Sequence, residues 1–83
     1  MKYIELSKIR IAKDFRYSTK LDTEVLESIR EKGFLHAYPI LLSGTRVVDG
    51  VQRVRALRAL SPEELEKALL PWNGLVPCVQ WRY

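Results

Sequence analysis

Arg46-Val47-Val48-Asp49-Gly50-Val51-Gln52-Arg53-Val54-Arg55-Ala56-Leu57-Arg58-Ala59-Leu60 is the stretch whose reading decides the fold. Arg46-Val47-Val48 reads as a strand, and Asp49-Gly50 ends it. From Val51 to Leu60 the pattern becomes helical, with Ala56, Leu57 and Leu60 as inward positions. Glycine at a strand–helix junction lets the backbone turn sharply and lets a ligand come close. The first turn of the helix then presents unpaired N–H groups and the positive end of the helix dipole. Both effects stabilise a phosphate at that point. Arg53 falls in this first turn and can offer a planar fork to phosphate oxygens, and Gln52 can add a neutral donor.

Working outward, Ser61-Pro62-Glu63-Glu64 opens the next helix. Serine caps, proline suits the first helical position, and Glu64 completes a capping box. Leu65, Ala68 and Leu69 give that helix its apolar face, and Pro71, Asn73 and Gly74 break it. Val76 to Trp81 is the last strand. Pro77 near its start suits an edge or strand-entry position. Upstream, Pro39-Ile40-Leu41-Leu42 reads as a buried strand, and Ser43-Gly44 turns the chain. Before it lies a helix capped by Asp22 or Thr23. Glu24 sits in its first turn, Val25, Leu26 and Ile29 form its buried stripe, and Gly33 suits the position after its end. Ile4 to Ile11 alternates loosely and reads as a strand followed by a turn, with a polar loop after it. The expectation is one domain over residues 1–83: an α+β fold with a small mixed β-sheet and about three helices.

Composition narrows the chemistry. Cys78 and His36 are the only cysteine and the only histidine. An intramolecular disulfide and a zinc site of several thiolates are therefore excluded. No apolar run approaches the roughly 20 residues that span a bilayer, and no signal peptide is legible. A cytoplasmic protein with no membrane partner is expected. Lys and Arg number 14 against 10 Asp and Glu, a formal charge of +4. Arg46, Arg53, Arg55 and Arg58 fall between Gly44 and Leu60 with Asp49 as the only acid, while acids gather around Asp22–Glu31 and Glu63–Glu66. Such a face suits an anionic partner, nucleotide or DNA, with affinity that falls as salt rises.

The same segments carry a family resemblance. Ser28-Ile29-Arg30-Glu31-Lys32-Gly33 is followed by Leu35 through Pro39-Ile40. Val47 to Arg53 with Ala56 comes next, and then Val76-Pro77-Cys78-Val79. In order and spacing these resemble the N-terminal ParB/sulfiredoxin-type domain, the family that includes ParB-like nucleases. The resemblance covers nearly the whole chain. It implies that Gly50, Gln52 and Arg53 hold nucleotide phosphates, with Gly33 and His36 facing them from the end of the first helix. It also implies a nucleoside triphosphate, with Mg²⁺, as a candidate cofactor. Two departures bear on activity. ParB proteins usually carry Gly-Glu-Arg-Arg, and sulfiredoxin a catalytic cysteine after the glycine; here Val51 takes that place. Valine can neither attack nor transfer a proton, so sulfiredoxin activity and nucleotide hydrolysis are not expected. The loop His36-Ala37-Tyr38-Pro39 is two residues longer than the usual Gln-Pro, and the chain stops at Tyr83 without ParB's helix-turn-helix.

Each residue also has a plainer role. Asp49 could bind Mg²⁺ or act as a base, and capping the following helix is the commoner use. Arg46 extends the basic pocket or simply faces solvent. Cys78 reads as a small core residue, and Trp72, Trp81 and Tyr83 as cover for the core or a partner surface. Three functions follow as expectations. The first is a phosphate-binding domain with a DNA-associated or regulatory role. The second is a metal-dependent nuclease or phosphotransferase, and the third a protein–protein adaptor with a degenerate pocket.

Overall fold

The structure, a computed structural model, describes residues 1–11, 21–34 and 38–81. Strand β1 (Lys2–Glu5) runs into a 3₁₀ turn at Leu6–Lys8, so the strand and following turn expected over Ile4–Ile11 are present, with the strand starting earlier, at Lys2. Helix α1 spans Thr23–Lys32, and the hairpin β2 (Ile40–Ser43) and β3 (Arg46–Asp49) follows it. Helices α2 (Val51–Ala59) and α3 (Pro62–Ala68), a 3₁₀ turn at Leu70–Trp72 and strand β4 (Leu75–Gln80) complete the fold. It is an α+β fold with a mixed four-stranded sheet in the order β1-β4-β2-β3. No helix among the described residues is long and apolar enough to cross a membrane.

Local chemistry sets these elements. Asp22 caps α1, its Oδ1 accepting from the N–H groups of Glu24 and Val25 at 3.0 and 3.3 Å. Ser61 and Glu64 form the full capping box of α3, with Pro62 in its first turn. Gly33 ends α1 at φ 78, ψ 178, extended on the positive-φ side, where essentially only glycine goes.

Cys78 of β4 stands opposite Lys2 of β1 in antiparallel register and opposite Ile40 of β2 in parallel register. The proline-bearing strand is therefore interior, not an edge. β2 pairing starts at Cys78, one residue past Pro77, so the missing N–H interrupts no rung of that ladder. Between β2 and β3 the register moves from Leu42↔Val47 to Leu41↔Asp49, leaving Val48 as an extra residue. That bulge matters for the site. Strict alternation would put Asp49 on the face of Val47, which is buried; the extra residue turns both Val48 and Asp49 outward.

Ile40, Leu42, Val47, Val76 and Cys78 of the sheet, with Ile29, Phe34, Val54, Leu57 and Leu69, form the core. Trp72 packs on its border, edge-on to Phe34 with ring centroids 6.2 Å apart. Val51 and Val54 are buried beside the expected Ala56 and Leu57.

Candidate functional site

Gly50 is the cap residue of α2, at φ 101 and ψ 21 in the left-handed region. Two constraints hold glycine there. The backbone angle disfavours any side chain. A Cβ would also stand 2.9 Å from Ile40 Cδ1 and 3.3 Å from Arg53 Nη2. Asp49, expected as the cap, is not at the cap position. Gly50 has no side chain to accept the first-turn N–H groups, unlike Asp22 at α1 and Ser61 at α3. The bulge has moved the Asp49 carboxylate to the exposed face, and no hydrogen bond to it occurs among the described residues.

The short distance to Gly50 shows where Arg53 goes. Its guanidinium folds back across the glycine, over the start of its own helix, and Nη1 donates to the Tyr38 carbonyl. One donor of the fork is thus held by backbone, and the remaining N–H groups stay available to an anion. Arg53, Tyr38 and Gly33 line one cleft of about 400 Å³ between α1 and the start of α2. The structure brings Gly33 and Arg53, two of the residues that the resemblance implied, to the same cavity.

Other expected members are placed differently. Gln52 uses its amide oxygen to accept from the Asp22 N–H at 2.9 Å, tying the first turn of α2 to the cap of α1. Arg46 does not join Arg53. It lines a separate cleft with Arg10 and Arg58. The four arginines between Gly44 and Leu60 are therefore not one face. Arg55 stands apart from both clefts, with Nη1 buried and without a hydrogen-bond acceptor among the described residues. His36 lies outside the described residues.

Among the cleft residues that escaped sequence reasoning are Tyr38, through its carbonyl, and the side chains of Asp22 and Glu24. A backbone carbonyl leaves no trace in a sequence. The two acids read as helix-start residues, which they also are. No group of three or more His, Cys, Asp or Glu side chains placed to hold a metal occurs among the described residues. Cys78 is fully buried, its Sγ donates to the Val76 carbonyl at 3.3 Å, and burial pushes its pKa up to about 11. No family model matches this chain, no curated protein matches it, and no solved structure matches it.

Proposed function

We propose that the protein binds nucleotide phosphate at the Gly50–Arg53 turn, as a ParB/sulfiredoxin-like domain with a regulatory or DNA-associated role. One observation carries this reading. Helix α2 starts at a left-handed glycine with no capping side chain, and an arginine is folded over that start. An oxyanion there meets first-turn N–H groups, the helix dipole and a guanidinium together. Asp22 and Glu24 in the same cleft would repel a bare phosphate. They suit a nucleoside triphosphate that arrives with Mg²⁺, an ion usually held by one or two carboxylates plus the substrate phosphates. Asp22 Oδ1 is occupied by the α1 cap, which leaves Oδ2 and the exposed Glu24 carboxylate to approach such an ion.

The test is calorimetric titration with a nucleoside triphosphate, with and without Mg²⁺, beside a thermal melt. Arg53→Ala should weaken binding by about tenfold to a hundredfold, because charge-assisted hydrogen bonds contribute about 1.5–3 kcal/mol. Gly50→Ala should lower both affinity and melting temperature, since a left-handed non-glycine residue costs about 1–2 kcal/mol before any contact with Ile40 is counted. Arg46→Ala lies in the other cleft and should bind like the parent. Parental affinity in Arg53→Ala would overturn the assignment.

A further inference from the structure

The second cleft has a different composition. It measures about 680 Å³ and is lined by Arg10, Arg46 and Arg58, by Ser43 and Thr45, by Ile9 and Ile11, and by no acid among the described residues. Arg10 and Arg46 are bridge partners in a parallel pairing. Arg10 N–H donates to the Thr45 carbonyl at 2.8 Å, and Val47 N–H donates to the Arg10 carbonyl at 2.9 Å. Backbone bonds thus hold two exposed guanidinium-bearing residues side by side, one strand spacing of about 4.8 Å apart. Like charges directly opposite in a ladder destabilise a sheet. Neither side chain is paired with a carboxylate among the described residues. Arg58 is drawn into the same cleft by a hydrogen bond to the Ile9 carbonyl, not by an acid. Among the described residues the fold therefore concentrates positive charge here with no acid beside it.

We infer that the Arg10–Arg46–Arg58 cleft is a binding site for the phosphodiester backbone of a nucleic acid strand. The inference does not depend on the Gly50–Arg53 reading. A small anion held alone needs enclosure and buried donors, whereas Arg10, Arg46 and Arg58 are all exposed. Exposed arginines gain affinity by summing several screened contacts along a polyanion. The concave shape suits a strand better than a flat anionic membrane. Ser43 and Thr45 add hydroxyl groups of the kind that hydrogen-bond phosphate oxygens without reading bases.

The experiment is a fluorescence-anisotropy titration with a short, mixed-sequence, single-stranded DNA over a range of salt concentrations. Melts of the free protein accompany it. Arg10→Ala and Arg46→Ala should each weaken binding severalfold and reduce the log–log salt slope by about 0.7, the single-strand value per phosphate contact. Arg46→Glu places an acid opposite Arg10, so it should abolish binding while raising the melting temperature at low salt. A merely structural arginine would lose stability instead. Arg58 anchors Ile9, so its variant is Arg58→Lys, which keeps the charge and should retain most of the affinity. Arg53→Ala separates the two clefts and should leave DNA binding and its salt slope unchanged. Equal loss in Arg53→Ala, or parental binding in Arg46→Glu, would overturn the inference. So would competition by inorganic phosphate at concentrations that leave ionic strength unchanged, or arginine-dependent capture by anionic lipid vesicles in place of DNA.

Discussion

The Cys78 thiol has no solvent contact, and burial raises its pKa from the ordinary 9.0 to about 11. The thiolate is the reactive form, so the native protein should not react with a thiol reagent at neutral pH. Labelling should appear only at the rate at which the core opens, and it should be complete in denaturant. The pH dependence has a definite sign. Between about 9 and 11 the unfolded thiol has lost its proton and the folded one keeps it, so the contribution of Cys78 to stability falls as pH rises through that window. A chemical-denaturation series across this range checks it, and Cys78→Ala should flatten the decline. Burial of this kind was legible from a lone cysteine in an apolar strand. The geometry of the candidate site was legible only in part. Gly50 and Arg53 announced themselves by residue type and position. The separation of Arg46 from Arg53 did not, because it depends on Arg10 pairing across to β3 from near the other end of the sequence.

At the scale of elements, helix ends were the most readable features. Ser-Pro-Glu-Glu specifies its own local hydrogen bonds, and Ser61 and Glu64 make both halves of the box at 3.2 and 3.0 Å. The hydrogen bond from the Ser61 backbone holds the Glu64 carboxyl below its usual range. Arg30 extends the arrangement from α1, with Nε 2.7 Å from Glu64 Oε2 and Nη1 2.5 Å from Glu27 Oε1. Ser61→Ala should destabilise the protein by about 1 kcal/mol, the common cost of a lost cap, seen as a lower denaturation midpoint with unchanged slope. Arg30→Ala should matter less, about 0–1 kcal/mol, because its side chain is solvent-screened. That a turn follows β1 was readable, its position only roughly. Ser7-Lys8 breaks the alternation that Ile4-Glu5-Leu6 begins, which marks a turn, but the exact last strand residue is not written there; the 3₁₀ turn leads into Ile9, which is buried in the core. The bulge at Val48 was equally hidden, since it reflects how the hairpin must deliver Asp49 to solvent and Gly50 to the helix.

For the whole molecule, β4 is the joint. It pairs with β1 from the start of the chain and with β2 from its middle, so two parts of the sheet meet only through residues 75–80. A chain ending at Asn73 should therefore lose cooperative folding, giving a sloping melt without a transition and weak near-ultraviolet dichroism. Pro77 was compatible with an edge or a strand-entry position, and only the register decides between them, placing the residue just before the β2 ladder of an interior strand. The same pairing leaves the sheet little free border. One margin is the four-residue β1, with Lys2 and Glu5 at its two ends. On the other, backbone groups of β3 and its preceding turn are already engaged by Arg10. An incoming strand from a misfolded copy thus finds only a brief, charge-guarded template on one side and an obstructed one on the other. The native sheet should therefore be a poor template for fibril growth, so seeding with fibrils of an unrelated sequence should recruit little of the folded protein.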